Sequence, residues 1–175
     1  MDARVGLPLT RRQRDHRGRL QLVYWLRTET GAEEIVIDGE SAIAFLQAAD
    51  RERAQALLCD LKGCLLRPLS LHTLSHQPVC GLYADSLSVW HEALARLQRA
   101  GITLMEEDVR PVDRYLIERG IFAGARVIHR NSGPALVRDT FIPTLRLLSL
   151  DIETTLRADR ILSIALQCGT QEVVL

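Results

Sequence analysis

The clearest chemistry in this sequence lies in two acids spaced two residues apart. Asp151 and Glu153 sit in the run Ser149-Leu150-Asp151-Ile152-Glu153-Thr154-Thr155, which reads as a strand. Alternate strand residues share a face and lie roughly 6.5–7 Å apart. The pattern therefore points both carboxylates one way and predicts Leu150 and Ile152 buried behind them. A short Asp that bridges two ions and a Glu that holds one of them are what a two-metal nuclease needs. Such ions lie about 3.5–4 Å apart, activate the attacking water and stabilise the leaving oxygen of a phosphodiester. Hard cations such as Mg²⁺ and Mn²⁺ take oxygen ligands of this kind. Alone, D-x-E also describes two solvated charges. The apolar stretch before it and the strand RILSIAL after it make the pattern more specific.

A second constellation imitates a metal site and fails on spacing. Cys59-x4-Cys64 precedes His72-x3-His76, but only Leu65 to Leu71 separate the pairs. A zinc finger uses about twelve residues there. The spacer LLRPLSL reads as an apolar strand with no room for a recognition helix. Four scattered cysteines (Cys59, Cys64, Cys80 and Cys168) are also too few for a disulfide scaffold.

The elements that must position the acids follow from periodicity. RLQLVYWLRT (19–28) and EEIVID (33–38) are β-rich runs about Thr30-Gly31, and His16-Arg17-Gly18 marks an earlier turn. A strand over 41–47 leads to a helix over 51–62, with Asp50 as N-cap and Gly63 as stop. Strands over 64–71 and 78–84 follow, Pro68 placing the first of them at an edge. A helix over 87–100 shows Leu87, Trp90, Leu94 and Leu97 on one face and pairs Glu92 with Arg96, and a strand over 102–106 closes the unit. The order is βαββαβ, the split-βαβ arrangement of ferredoxin-like folds. Phe45, Tyr83 and Trp90 are assigned to its core, which leaves no set of exposed aromatics for stacking RNA bases.

Pro111, Asp113, an Arg114–Glu118 pair and Gly120 then outline a third helix. Strands over 125–130 and 135–142 lead to Pro143-Thr144, the expected domain boundary. The β-runs 145–155, 160–168 and 171–175 begin an antiparallel sheet. The fold class is α+β.

Hydrophobic residues make up 47% and charged residues 25% of the 175, as in an ordinary globular protein. Apolar runs are far short of the roughly 20 residues of a membrane span, so no membrane partner and a cytoplasmic location are expected. Net charge is zero, which argues against a protein that coats DNA by itself. The charge is uneven, however. Arg4, Arg11, Arg12, Arg14, Arg17 and Arg19 crowd the N-terminus, and Lys62 is the only lysine.

Two motifs resemble a known family. DIETT after an apolar strand, followed by a hairpin, resembles the opening of the RNase H-like exonucleases that use four acidic residues. Glu107-Asp108-Val109-Arg110-Pro111-x-x-Arg114-Tyr115-Leu116-x-Glu118-Arg119 resembles the helix that precedes the proofreading domain of family B DNA polymerases. Gln77-Pro78-Val79-x-Gly81-Leu82-Tyr83, Leu7-x-Leu9-Thr10-Arg11 and Tyr24-Trp25-Leu26 resemble the N-terminal domain of its bacterial, DNA polymerase II-like branch.

The resemblance implies residues 1–143 as the polymerase N-terminal domain and 144–175 as the start of an RNase H-like 3′–5′ exonuclease domain. It implies Asp151 and Glu153 as catalytic Mg²⁺ or Mn²⁺ ligands, and DNA and deoxynucleoside triphosphates as partners in replication and repair. Arg110, Arg114 and Arg119 become candidate DNA contacts. The chain is then expected to be an inactive fragment, monomeric or paired through an edge strand. A stand-alone RNase H-like exonuclease with an accessory domain, and a non-enzymatic ferredoxin-like nucleic-acid-binding module, are the alternatives.

Overall fold

The computed structural model describes residues 4–175 and divides between Ile142 and Pro143 into two compact units. The first unit opens with β1 (Val5–His16) and β2 (Arg19–Arg27), joined by a two-residue turn in which Arg17 and Gly18 both have positive φ. That turn twists with the hand of the flanking strands, and the hairpin pairs from Leu7↔Arg27 to His16↔Arg19 with one irregularity between Pro8 and Thr10. β3 (Ala32–Asp38) adds to β2 across the turn at Gly31.

Next come β4 (Ala42–Gln47), α1 (Arg51–Leu58), β5 (Cys64–His72), β6 (Pro78–Ala84), α2 (Leu87–Arg99) and β7 (Leu104–Met105). Their strands form a four-stranded sheet in the order β5-β6-β4-β7, every neighbouring pair antiparallel. Along β4, Ala42, Ala44 and Leu46 are buried while Ile43 and Phe45 are only partly so, as one-sided cover by helices requires. α2 buries Trp90, Ala93 and Leu97 and begins at Leu87 as expected, where Ser86 Oγ accepts from Val89 N at 3.2 Å.

α1 departs from expectation. Asp50 is helical itself, closing a 3₁₀ turn over Ala48–Asp50, and its side chain makes no capping bond. The helix also stops at Leu58 instead of reaching 62. The chain tightens there, Leu61 N donating to Leu58 O at 3.0 Å, so Leu61 packs on the core from a turn. β7 is shorter than its run suggests because Glu106 turns out of the strand at φ 58.

α3 (Pro111–Glu118) starts with proline in its first turn and buries Val112, Tyr115 and Leu116. β8 (Ala125–Arg130) and β9 (Gly133–Arg138) complete a five-stranded antiparallel sheet in the order β3-β2-β1-β8-β9. β9 ends four residues before Ile142, because Asp139 Oδ1 accepts from Phe141 N at 3.0 Å and bends the chain. One continuous core, from Leu20 to Leu136, joins both sheets to the three helices.

The second unit is a meander: β10 (Ser149–Thr154), β11 (Ile161–Cys168) and β12 (Gln171–Val174), paired in that order.

Candidate metal site and the arginines of the third helix

β10 pairs with β11 through Asp151↔Ala165 and Glu153↔Ser163, with an irregularity directly after Glu153. Both acids are exposed and share a face of the sheet with Ser149, Ser163 and Gln167. Asp151 Oδ1 accepts only the following amide, Ile152 N at 3.0 Å, and neither carboxylate forms an ion pair among the described residues. Two oxygen-donor side chains are thus presented together and unneutralised. Among the described residues they do not join a cluster of three or more acids, histidines or cysteines.

The opposite face of β10 corrects an expectation. Leu150 and Ile152 are not buried; they are 57% and 45% exposed. Register places Leu166, Ile164 and Val173 on the same apolar face, and this three-stranded unit has no second layer of its own to cover it.

The arginines of the α3 motif also part company. Arg114 is turned to partners within the chain. Its side chain is only 9% exposed, donates to Glu106 Oε2 at 2.9 Å, lies 3.6 Å from Glu118 and stacks 5.3 Å from the Phe45 ring centroid. Arg119 packs 3.6 Å from the Tyr115 ring centroid and donates to Glu40 at 2.8 Å. Arg110 alone is largely exposed, at 58%, and it bonds Asp113 at 2.6 Å. Burial pushes the Asp113 carboxyl up, but its bonds to Arg110 and Arg11 outweigh that and hold it below the usual range.

Phe45 and Tyr83 are half-buried rather than core, each beneath a cation (Arg114 and Arg67) on the face of the four-stranded sheet opposite the buried Ala42, Ala44 and Leu46. A groove of about 830 Å³ crosses that face, floored by Phe45, Val79 and Met105 and walled by Glu106, Arg114 and Glu118. Sequence reasoning missed the groove because its walls come from segments up to 73 residues apart. It also missed Asp15, whose carboxylate accepts from Leu87 N at 2.6 Å, Ser88 N at 2.9 Å and Ser88 Oγ at 2.7 Å. No local signal marks a side chain on β1 as the anchor of α2.

Among the described residues no helix is long and apolar enough to cross a membrane. Residues 42–102, which run from β4 to just past α2, match a family model described as DNA polymerase II, insertion domain. DNA polymerase II of Escherichia coli (strain K12) is 33% identical over 178 residues, an alignment covering 98% of this chain and 23% of that protein. A family B DNA polymerase from the hyperthermophilic archaeon Pyrobaculum calidifontis has a similar fold, with TM-score 0.63 at 17% identity over 98% of this chain and 26% of its own. The chain thus spans about a quarter of the length of these relatives. The mixed, mostly antiparallel architecture is common to this chain and the archaeal structure.

Proposed function

We propose, on the premise that this chain belongs to the family B DNA polymerases, that it serves as the N-terminal part of a DNA-directed DNA polymerase with 3′–5′ proofreading exonuclease. In this reading residues 1–143 are the N-terminal domain, with β4 to β7 as a ferredoxin-like unit, and 144–175 open an RNase H-like exonuclease domain. Primer-template DNA and deoxynucleoside triphosphates are the partners, and cytoplasmic replication and repair the setting.

The observation that carries the proposal is the pair Asp151 and Glu153, exposed on one face of β10 and free of ion pairs among the described residues. Their oxygen donors fit a hard divalent cation, Mg²⁺ or Mn²⁺. Asp151 and Glu153 would hold it, and the ion would supply a nucleophilic water and charge stabilisation at the scissile phosphate. What the chain itself supplies is orientation. Pairing with β11 fixes both carboxylates on one face, and Asp151 is further held by the Ile152 amide.

The test is Asp151→Ala in the complete polymerase, assayed on a labelled single strand with Mg²⁺ or Mn²⁺. Degradation from the 3′ end should be abolished while primer extension survives, because polymerisation uses a different set of carboxylates. Undiminished degradation by Asp151→Ala would overturn the assignment of this residue as a metal ligand.

A further inference from the structure

The β1–β2 hairpin carries a set of arginines that the fold leaves unneutralised. Ten ion-pair contacts are formed among the described residues, and none involves Arg12, Arg14, Arg17 or Arg19. All four lie within eight residues at one end of a single hairpin, and Arg12, Arg17 and Arg19 are exposed. The alternation of β1 explains how they are segregated. Arg11, Gln13 and Asp15 point inward, to Asp113, the Val112 amide and the start of α2 respectively. Arg12 and Arg14 therefore share the outer face, joined by register to His16 and Arg19.

Asp15 is the hairpin's own carboxylate, and it is turned to the inner face and occupied by α2. The nearest acids on the outer face are Glu34 and Asp38 of β3, opposite Trp25 and Gln21 and two strands away from β1. The strand spacing is roughly 9.5 Å, and of the four arginines only Arg14 is linked to one of these acids, indirectly through Gln21. The guanidinium groups are also pre-positioned. Arg12 lies 5.1 Å from the Trp25 ring centroid, and Arg14 donates to Gln21 Oε1 at 2.7 Å, Gln21 in turn donating to Asp38 at 3.1 Å. Beyond Gly6, β1 pairs on one side only, since β8 meets just Val5 and Gly6.

From these observations we propose that the outer face of the β1–β2 hairpin, with Arg12, Arg14, Arg17 and Arg19, is a contact surface for the sugar-phosphate backbone of DNA. It rests on the polymerase reading for the identity of the polyanion; the clustering and free charge of the arginines are independent of that reading. Same-face arginines two residues apart track a phosphate chain without reading its sequence, and planar guanidinium groups suit bidentate phosphate contact. The binding is sequence-tolerant and salt-sensitive.

The experiment uses the whole 175-residue chain and fluorescein-labelled oligothymidylate, titrated by anisotropy at several salt concentrations. One variant combines Arg12→Ala, Arg14→Ala, Arg17→Ala and Arg19→Ala. A charge-matched control combines Arg51→Ala, Arg53→Ala, Lys62→Ala and Arg99→Ala, and thermal melts verify that both fold. The hairpin variant should lose affinity, and its slope of log affinity on log salt should fall by roughly 3, at about 0.7 per lost phosphate contact on a single strand. The control should keep the wild-type slope. Equal slopes for wild type and hairpin variant would overturn the surface while leaving the polymerase reading intact. Absence of any binding by the wild type, at low salt, would overturn the surface and count against DNA as the partner. Aggregation of the variant with unchanged affinity of its soluble fraction would also overturn it, showing that the arginines serve only to protect an open strand edge.

Discussion

Arg110, Arg114 and Arg119 belong to one motif but differ in side-chain exposure (58%, 9% and 25%), and the distant partners Phe45 and Glu40 set the latter two apart. The i,i+4 spacing to Glu118 was visible for Arg114; its burial over Phe45 was not, because Phe45 lies 69 residues earlier. The same distance problem hid Tyr24. Its ring is fully buried 5.6 Å from that of Tyr115, and its hydroxyl donates to Val112 O at 2.7 Å, tying β2 to α3. Burial pushes the Tyr24 hydroxyl far above its ordinary pKa, so it stays a donor at every physiological pH. Tyr24→Phe keeps the packing and deletes that bond, and should lower the urea midpoint by about 1–2 kcal/mol equivalent with an unchanged m-value. Asp15 carries a pH signature. Burial pushes its carboxyl up, but the Leu87 and Ser88 bonds and the nearby His91 outweigh that and depress it. A depressed folded value makes the stabilisation complete above the unfolded value of about 3.9 and loses it as pH falls through the lower, folded value. Melts across acid pH should therefore show wild type losing stability below about pH 4 more steeply than Asp15→Asn. Asp15→Asn should already be weaker at neutral pH by about 1 kcal/mol, the usual scale for helix-start bonds.

At the scale of elements, most of the local signals were read correctly. Turn glycines with positive φ, the start of α2 at Leu87, the proline start of α3 and the period-2 and period-3.6 runs each act within a few residues. α1 starts at Arg51 as expected, but Asp50 makes no side-chain cap because it closes a 3₁₀ turn with helical backbone, and the helix ends at Leu58 instead of 62. Gly124 is a position whose reason is purely tertiary. A Cβ there would meet Phe141 O, Phe141 N at 2.6 Å and Asp139 O at 2.9 Å, all backbone atoms that cannot rotate away. The segment after β9 lies against β8 through this gap, held by Asp139 N donating to Gly124 O at 2.9 Å. Gly124→Ala should destabilise the protein by about 3 kcal/mol through overpacking, seen as a lowered denaturant midpoint. Gly81→Ala should cost less, because its closest contact, at 2.7 Å, is the Tyr83 ring, a side chain able to shift. Loss of stability no greater for Gly124→Ala than for Gly81→Ala would refute this account of the gap.

For the whole molecule, alternation along β10 said only which side chains share a face, not what covers them. Hence the placement of Asp151 with Glu153 was legible, and the exposure of Leu150 and Ile152 was not. The two units differ in what holds them. Every member of the hydrophobic core, from Leu20 to Leu136, belongs to the first unit, as do the partly buried residues packed against it. Residues 143–175 consist of one meander with Leu150, Ile152, Ile161, Leu162, Val173, Val174 and Leu175 all more than 40% exposed. A piece below about 40 residues does not bury enough surface to offset its own chain entropy. Its strands should therefore open independently of the first unit, while β2, β4 and β6 exchange only through global unfolding. Amide exchange should be fast across β10 to β12 and slowest in those three strands. A chain ended at Ile142 should melt with the same midpoint and cooperativity as residues 1–175, within about 0.5 kcal/mol. A large drop in stability on removing 143–175 would mean that the first unit depends on the meander for burial, contrary to a core confined between Leu20 and Leu136.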